Sequence, residues 1–279
     1  MTPMSSRESK SIQRLLIAFT VISLIVIIVL PIAYVLYQAL ANGFSSYIKA
    51  VTDPTTISSL KLTILAAFCS VLFNLIFGLS IGWALGKFHV FGSRAIIGLI
   101  ELPLSLSPVT AGLIFILFLG KYSLFGGFLD RHGIDIIYAV PGVIIATMFV
   151  TLPYIAREVI PLMQETGTEE EEAALLLGAG GLYTFFRVTL PKIKWGVIYG
   201  LLITNARAMG EFGAVSVVSG HLRGKTDTLT LQVEILYNEY NFTESFAVAS
   251  LLTLLAIFTL FLKSWIDWQK SFSTEKEKP

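Results

Sequence analysis

Residues 172–191 read EAALLLGAGGLYTFFRVTLP and lie between two long apolar runs. Just upstream, Thr168 is followed three residues later by Glu171, which is the spacing of a capping box. Glu169, Glu170 and Glu171 place negative charge where a helix dipole favours it. Ala173 through Leu177 are good helix formers, and Gly178 suits a C-terminal stop. The pattern predicts a short helix of about ten residues, roughly 15 Å long. Gly180 and Gly181 then permit a turn. Leu182 to Val188 start a second amphipathic piece, and Pro191 closes it. A helix carrying Ala173, Ala174, Leu175, Leu176 and Leu177 is too apolar for open water and seeks a groove. Lying on the membrane surface is the alternative, but the acidic run 169–172 opposes it because the inner leaflet is negative. The stretch therefore reads as a dock for a partner protein.

The rest of the chain explains the two flanking runs. Of 279 residues, 54% are hydrophobic and only 14% charged, and mean hydropathy is +0.75. That composition is an integral membrane protein's. A net charge of +1 excludes a nucleic-acid binder driven by phosphate attraction. Cys69 is the only cysteine, so no intrachain disulfide forms. It sits in an apolar run as a small buried hydrophobe. Six runs are long enough to span a bilayer: Leu15–Tyr37, Leu60–Leu85, Ala95–Leu119, Ile137–Ile160, Trp195–Val218 and Phe246–Trp265. Backbone polar groups in lipid must be satisfied internally, so these are helices. No segment alternates like a barrel strand. The fold class is all-α and polytopic, with six transmembrane helices. Residues 1–14 form an N-terminal segment, 15–265 the transmembrane domain with its loop at about 161–194, and 266–279 a polar, frayed tail. The first run invites a signal-peptide reading, with Ala39-Leu40-Ala41 as cleavage site. Its apolar core is too long for that, and a retained helix is expected.

Lysine and arginine set the orientation. With the N-terminus inside, the inner segments hold thirteen of them: Arg7, Lys10, Arg14, Lys87, Arg94, Arg157, Arg187, Lys192, Lys194, Lys263, Lys270, Lys276 and Lys278. The outer segments hold six: Lys49, Lys61, Lys121, Arg131, Arg223 and Lys225. Both termini, and the loop carrying Glu172, are therefore expected in the cytoplasm.

Within the spans, Gly78, Gly82 and Gly86 recur every fourth residue, and Gly196 and Gly200 repeat the spacing. Each stripe lets another helix approach closely, within the subunit or at a subunit interface. Pro103 and Pro108 in the third run, and Pro141 and Pro153 in the fourth, are expected to kink or break their helices. Such breaks suit a pathway-lining helix, although structural helices carry them too. Leu229–Leu236 is expected as a short interfacial helix. Asn74 and Asn205 are expected as interhelical hydrogen-bond donors. Away from the span ends, three charges fall inside spans: Glu101, Arg207 and Glu211. Arg207 and Glu211 share a helical face and can form an ion pair. Counted from Lys194, Arg207 lies roughly 19 Å in, near or beyond the bilayer middle. Two readings stand. The pair, or Arg207 with Glu101, holds helices together. Alternatively, Arg207 makes a pathway attractive to an anion, with Ser216 and Ser219 as further candidate contacts.

Residues 219–226 read SGHLRGKT and look like a P-loop, but Gly220 and Gly224 enclose three residues where that motif needs four. The stretch also follows an apolar helix rather than a strand, so it is rejected. His89, His132 and His221 are scattered over three connections. No catalytic residue, metal site or cofactor is expected in this chain.

The spacing Glu172-Ala173-Ala174, Gly178, Val188, Leu190-Pro191 resembles the EAA loop of ABC-importer permeases. The stretch 205–220, with 223–226 and 233–241, resembles the W-type permease of the sulfate/thiosulfate importer group. Leu102–Ser105, Pro108 and Gly112-Leu113 are similar to the same oxyanion permeases. The likeness runs from about the first span to Trp268 and is densest at 168–265. It implies a type I importer permease (MetI-like) fold in a bacterial or cyanobacterial inner membrane. It implies that Glu172, Ala173, Ala174, Gly178, Leu190 and Pro191 couple to a separate ATPase. Ala173 and Gly178 would be close-contact positions, and Glu172 a polar contact or cap. The candidate pathway residues, read from charges, hydroxyls and prolines within the spans, are Arg207, Glu211, Ser216, Ser219, Pro103 and Pro108. The implied partners are a homologous T-type permease forming a heterodimer, two ATP-binding subunits holding ATP-Mg, a periplasmic sulfate/thiosulfate-binding protein and the lipid bilayer. The run 207–213 alone would also admit a molybdate or tungstate permease. An ion-coupled secondary transporter, from a different class, would need inverted repeats, and no internal repeat is visible. A structural membrane scaffold is the third option.

Overall fold

Apolar runs become helices throughout the computed structural model, which describes residues 10–123 and 125–276. The first run forms α1 (Lys10–Leu24), a π turn (Ile25–Val29) and α2 (Leu30–Ala39) without a break. The π turn has a cause in the sequence. Pro31 offers no N–H, and its ring crowds the carbonyl one turn back. The wider turn ahead of it lets the Leu30 N–H reach the Ile25 carbonyl instead. α3 (Phe44–Val51) leads to α4 (Pro54–Lys87), the second run. Asp53 caps α4 by accepting from the Thr55 N–H at 2.9 Å and from the Thr55 hydroxyl. The hydroxyl bond holds the Asp53 carboxyl below its ordinary pKa.

The third run is not one helix. α5 (Ser93–Ser105) and α6 (Pro108–Leu119) meet at a 106° bend. Leu106 and Ser107 are both extended, as the residue before Pro108 prefers. After α7 (Gly126–Arg131), the fourth run folds as α8 (Val140–Thr151) and α9 (Pro153–Glu165), joined closely enough to make one 26-residue span. Pro141 does not break it, because it occupies the first turn of α8. Next come α10 (Glu169–Leu176), α11 (Gly181–Thr184), a second π turn (Phe185–Thr189) and α12 (Leu190–Met209). The fifth run is interrupted in turn, as α12 stops at Met209 and α13 resumes at Gly213–Val218. α14 (Leu229–Asn238) and α15 (Phe242–Lys276) complete the chain.

Among the described residues, four helices are long and apolar enough to cross a membrane, and five if the bent pair counts as one. All six expected runs are helical, but two of them are broken. The expected interfacial helix exists as α14, yet it is tucked into the bundle with Leu229, Leu231, Gln232 and Leu236 buried. α15 runs to Lys276, and the rest of the tail expected to fray lies outside the described residues. Arg7 and Lys278, counted for orientation, lie outside the described residues.

The bundle is fastened by its glycines. A Cβ at Gly78 would sit 2.6 Å from Ile155 Cγ2, at Gly82 2.7 Å from Val159 Cγ1, and at Gly86 2.6 Å from Met163 Cβ. The stripe of α4 therefore receives three buried side chains of α9. Gly200 of α12 meets the Ile155 backbone from the other side, and Gly196 meets Leu162. Both stripes serve packing within the subunit. Asn74 donates across from α4 to Thr151 Oγ1 at 2.8 Å. Asn205 is not interhelical, since its amide points to Met209 Sδ on its own helix at 3.8 Å.

Candidate functional site

Two regions gather the residues singled out in the sequence. The first is α10 and its exit. The Gly178 N–H bonds the Leu175 carbonyl at 3.0 Å, and the Ala179 N–H bonds the Ala174 carbonyl at 3.0 Å. This is the Schellman pattern, and Gly178 takes the positive φ it requires, +88°. A Cβ on Gly178 would meet nothing within 4 Å, so this face of the turn is open. Leu176 and Leu177 are each 90% exposed, and Leu175, Leu182, Tyr183 and Phe186 are exposed around them. Glu172 and Ala173 are exposed as well, and Ala174 is half-buried. The result is an exposed, apolar knuckle on the outside of the subunit.

The expected capping box does not form. The Thr168 hydroxyl bonds Glu172 Oε1 at 2.8 Å, and Glu171 turns inward. Its carboxylate meets the Lys87 ammonium at 3.0 Å and the Thr189 hydroxyl at 2.8 Å. A buried cation was available, and desolvating a carboxylate is tolerable only against such a partner. Pro191 does not close the second piece either. α11, the π turn and α12 run on as one helix, with the Leu190 N–H reaching the Phe185 carbonyl to relieve the proline. Leu190 and Pro191 therefore lie inside a rod that begins beside the knuckle. Glu170 pairs with Lys192 at 2.7 Å on the outside of the same joint.

The second region is where the two broken runs cross. Gly213, the first residue of α13, would place a Cβ 2.9 Å from Pro108 Cβ, the first residue of α6. A Cβ on Gly112 would meet the Ala214 carbonyl oxygen at 2.8 Å and Val217 Cβ at 2.8 Å. Two glycines thus let the half-helices cross at contact distance. Glu211 sits in the break with its side chain only 1% exposed, 2.6 Å from Arg207 Nη1. Its Oε1 accepts the Ala214 N–H at 2.9 Å, and its carbonyl accepts the Thr230 hydroxyl at 2.8 Å. The Arg207 side chain is 31% exposed. Glu101 does not join this pair, because it faces Arg157 at 3.5 Å on an exposed surface. Pro103 is buried in α5 one turn before the bend. The half-buried Ser216 hydroxyl bonds the Gly213 carbonyl at 2.9 Å. Ser219 is fully buried, and its Oγ accepts the His221 N–H at 3.2 Å. The stretch that mimics a P-loop is a tight turn tied by Thr226, whose hydroxyl donates to the Ser219 carbonyl at 2.7 Å.

Sequence reasoning missed Lys87, Thr166 and Thr189 at the first region. Lys87 ends an apolar span and reads as an ordinary interface lysine. The one available signal was that a fourth glutamate in an eight-residue helix needs a use.

A family described as "Binding-protein-dependent transport system inner membrane component" matches residues 76–271. The chain is 45% identical over 243 residues to the sulfate transport system permease protein CysW of Escherichia coli strain K12, covering 87% of this chain and 84% of that one. It is 32% identical over 235 residues to the sulfate transport system permease protein CysT of Salmonella typhimurium, covering 84% and 85%. A solved bacterial alginate ABC transporter, in complex with an alginate pentasaccharide-bound periplasmic protein, has a chain that superposes with TM-score 0.75 at 17% identity, covering 91% and 94%. That last likeness concerns fold alone.

Proposed function

The chain belongs to the binding-protein-dependent transport family of inner membrane components, and from that premise we propose that it is the W-type permease subunit of an ATP-driven sulfate/thiosulfate importer. The observation that carries the reading is the knuckle of α10. An apolar face of leucines, stopped by a left-handed glycine turn, needs a groove on another chain. A separate ATPase subunit, holding ATP-Mg, fits that need. Glu172, Ala173, Ala174 and Gly178 make the contact, while Leu190 and Pro191 carry it into α12. The 45% identity to a permease named for sulfate favours sulfate over molybdate or tungstate. The likeness at 32% to a permease named CysT supports a homologous second permease as the partner in a heterodimer.

In this reading both termini and α10 face the cytoplasm, and a periplasmic binding protein delivers sulfate to the other face. Closing of two ATPase subunits draws the α10 knuckles together and tips the helices between two arrangements. Two states with different partner affinities suffice for the cycle. Transport then needs no hydrolytic site in this chain. Arg207, Glu211, Ser216, Pro103 and Pro108 border the pathway at the crossing of the broken helices. Glu211 holds Arg207 by ion pairing, and Arg207's exposed fraction offers a weak, transient attraction to a passing anion. Ser219 supports the turn that follows.

The test is labelled sulfate uptake into proteoliposomes holding this chain, its T-type partner and the ATPase. ATP is supplied on the ATPase side and the binding protein on the other, with Gly178→Asp as comparison. Uptake that needs both additions and falls in the variant supports the reading. Uptake that follows an ion gradient without ATP, unchanged by Gly178→Asp, refutes it in favour of a secondary transporter. Molybdate uptake without sulfate uptake corrects the substrate.

A further inference from the structure

Four consecutive glutamates open α10, and only one turns inward. Glu169, Glu170 and Glu172 are exposed, whereas the Glu171 side chain is 11% exposed. A buried carboxylate persists only with partners, so its partners define its role. Lys87 Nζ lies 3.0 Å from Oε1 and 3.1 Å from Oε2, with its own side chain 5% exposed. The same ammonium donates to Thr166 Oγ1 at 3.1 Å and to the Gly167 carbonyl. All three of its hydrogens therefore have acceptors. From the other side the buried Thr189 hydroxyl donates to Glu171 Oε1 at 2.8 Å. The three residues belong to three elements. Lys87 is the last residue of α4, Glu171 lies in the first turn of α10, and Thr189 ends the π turn that feeds α12.

We infer that Lys87, Glu171 and Thr189 form an inner joint that passes any displacement of α10 directly to α4 and α12. The inference rests on α10 being the ATPase dock. Along the chain itself a push on α10 has little to act on. Gly167 precedes the helix at φ +63° and Gly178 follows it at +88°, and Gly180 and Gly181 come next. These are the residues that absorb backbone rotation most easily. The joint bypasses them. It bridges 84 positions of sequence from α10 to α4. It also bridges 18 positions to the start of α12. Beyond it the path is stiff. α4 is keyed to α9 by Gly78, Gly82 and Gly86, and α12 leads to Arg207 and the break before α13. The outer pair Glu170–Lys192 does not substitute, because Glu170 is 65% exposed and such pairs are weak and screened. Lys87, Glu171 and Thr189 are positioning residues that touch neither nucleotide nor anion.

The test compares the parental complex in proteoliposomes with Glu171→Gln, Lys87→Met, the double variant and Thr189→Val. Three quantities are read: co-purification of the ATPase, ATP hydrolysis with and without sulfate-loaded binding protein, and sulfate taken up per ATP hydrolysed. The ATPase is expected to co-purify with every variant, since the α10 leucines are untouched. Hydrolysis continues, but its stimulation by the binding protein is lost. Uptake per ATP falls on the order of tenfold in Glu171→Gln and Lys87→Met. The double variant is no worse than either single, because one removal already opens the joint. Thr189→Val gives a smaller loss in the same ratio. Dividing uptake by hydrolysis removes any loss due to fewer assembled complexes. Parental uptake per ATP in Glu171→Gln and Lys87→Met overturns the inference. If those two fail to assemble, Thr189→Val keeps the ion pair whole and decides alone, a parental ratio in it overturning the inference. A parental complex without ATP-driven uptake sinks the importer reading itself, before any variant is compared.

Discussion

Gly178 shows how one backbone angle fixes an exposed surface. Its φ of +88° closes the Schellman turn, while a Cβ added to it would meet open space. Gly178→Ala therefore creates no clash within the subunit but costs roughly 1–2 kcal/mol of left-handed strain. Amide exchange should quicken in the last turn of α10 and stay parental in α4 and α9. Protection unchanged along α10 would mean that the turn does not hold the knuckle in place. Gly178 was legible in the sequence because a helix stop needs the conformation that glycine adopts cheaply. Glu171 was not legible. Local spacing makes it the reciprocal member of a capping box, and its buried cation lies 84 residues away. Thr168, freed from that box, bonds Glu172 instead. Arg207 and Glu211 were readable as a pair from their four-residue spacing, although α12 ends at Met209 and Glu211 pairs from within the break rather than from a shared helical face.

At the scale of elements, glycine stripes and prolines explain most of the architecture. The stripe of α4 accepts Ile155, Val159 and Met163 at distances that leave no room for a side chain. Gly82→Leu should overpack the α4–α9 seam and cost about 1–3 kcal/mol. The measurement is the thermal unfolding midpoint of the purified subunit in detergent, which should drop. Gly98→Leu, where a Cβ meets nothing within 4 Å, should leave the midpoint near parental. Equal midpoints for the two variants would contradict the packing role of the stripe. The glycine spacing was visible in advance, and so were the prolines, but their effects differed with position. Pro108 opens a helix after a sharp bend, and Pro141 opens one without breaking it. Pro31 and Pro191 sit inside continuous rods because a π turn precedes each. Sequence does not distinguish these outcomes, since each depends on where the preceding carbonyls find donors. The break in the fifth run was hidden too. No proline marks it, and it is held by Glu211 capping α13 and by Gly213 meeting Pro108.

For the whole molecule, composition and the six runs were enough to read an all-helical membrane protein. The likeness of its EAA loop to importer permeases gave the fold and family that the comparisons bear out. What composition could not supply was the way two broken runs cross, or the inward turn of one acidic residue, because both arise from contacts between distant elements. The central claim is that the leucine knuckle of α10 is the seat of a separate ATPase. The most direct measurement is the affinity of the purified ATPase subunit for this permease in nanodiscs, parental against Leu176→Asp with Leu177→Asp. Burying two leucines is worth about 3–6 kcal/mol, so the variant should bind at least on the order of a hundredfold more weakly. Its unfolding midpoint should be unchanged, because both side chains are 90% exposed in the subunit. Parental ATPase affinity in that variant would contradict the account.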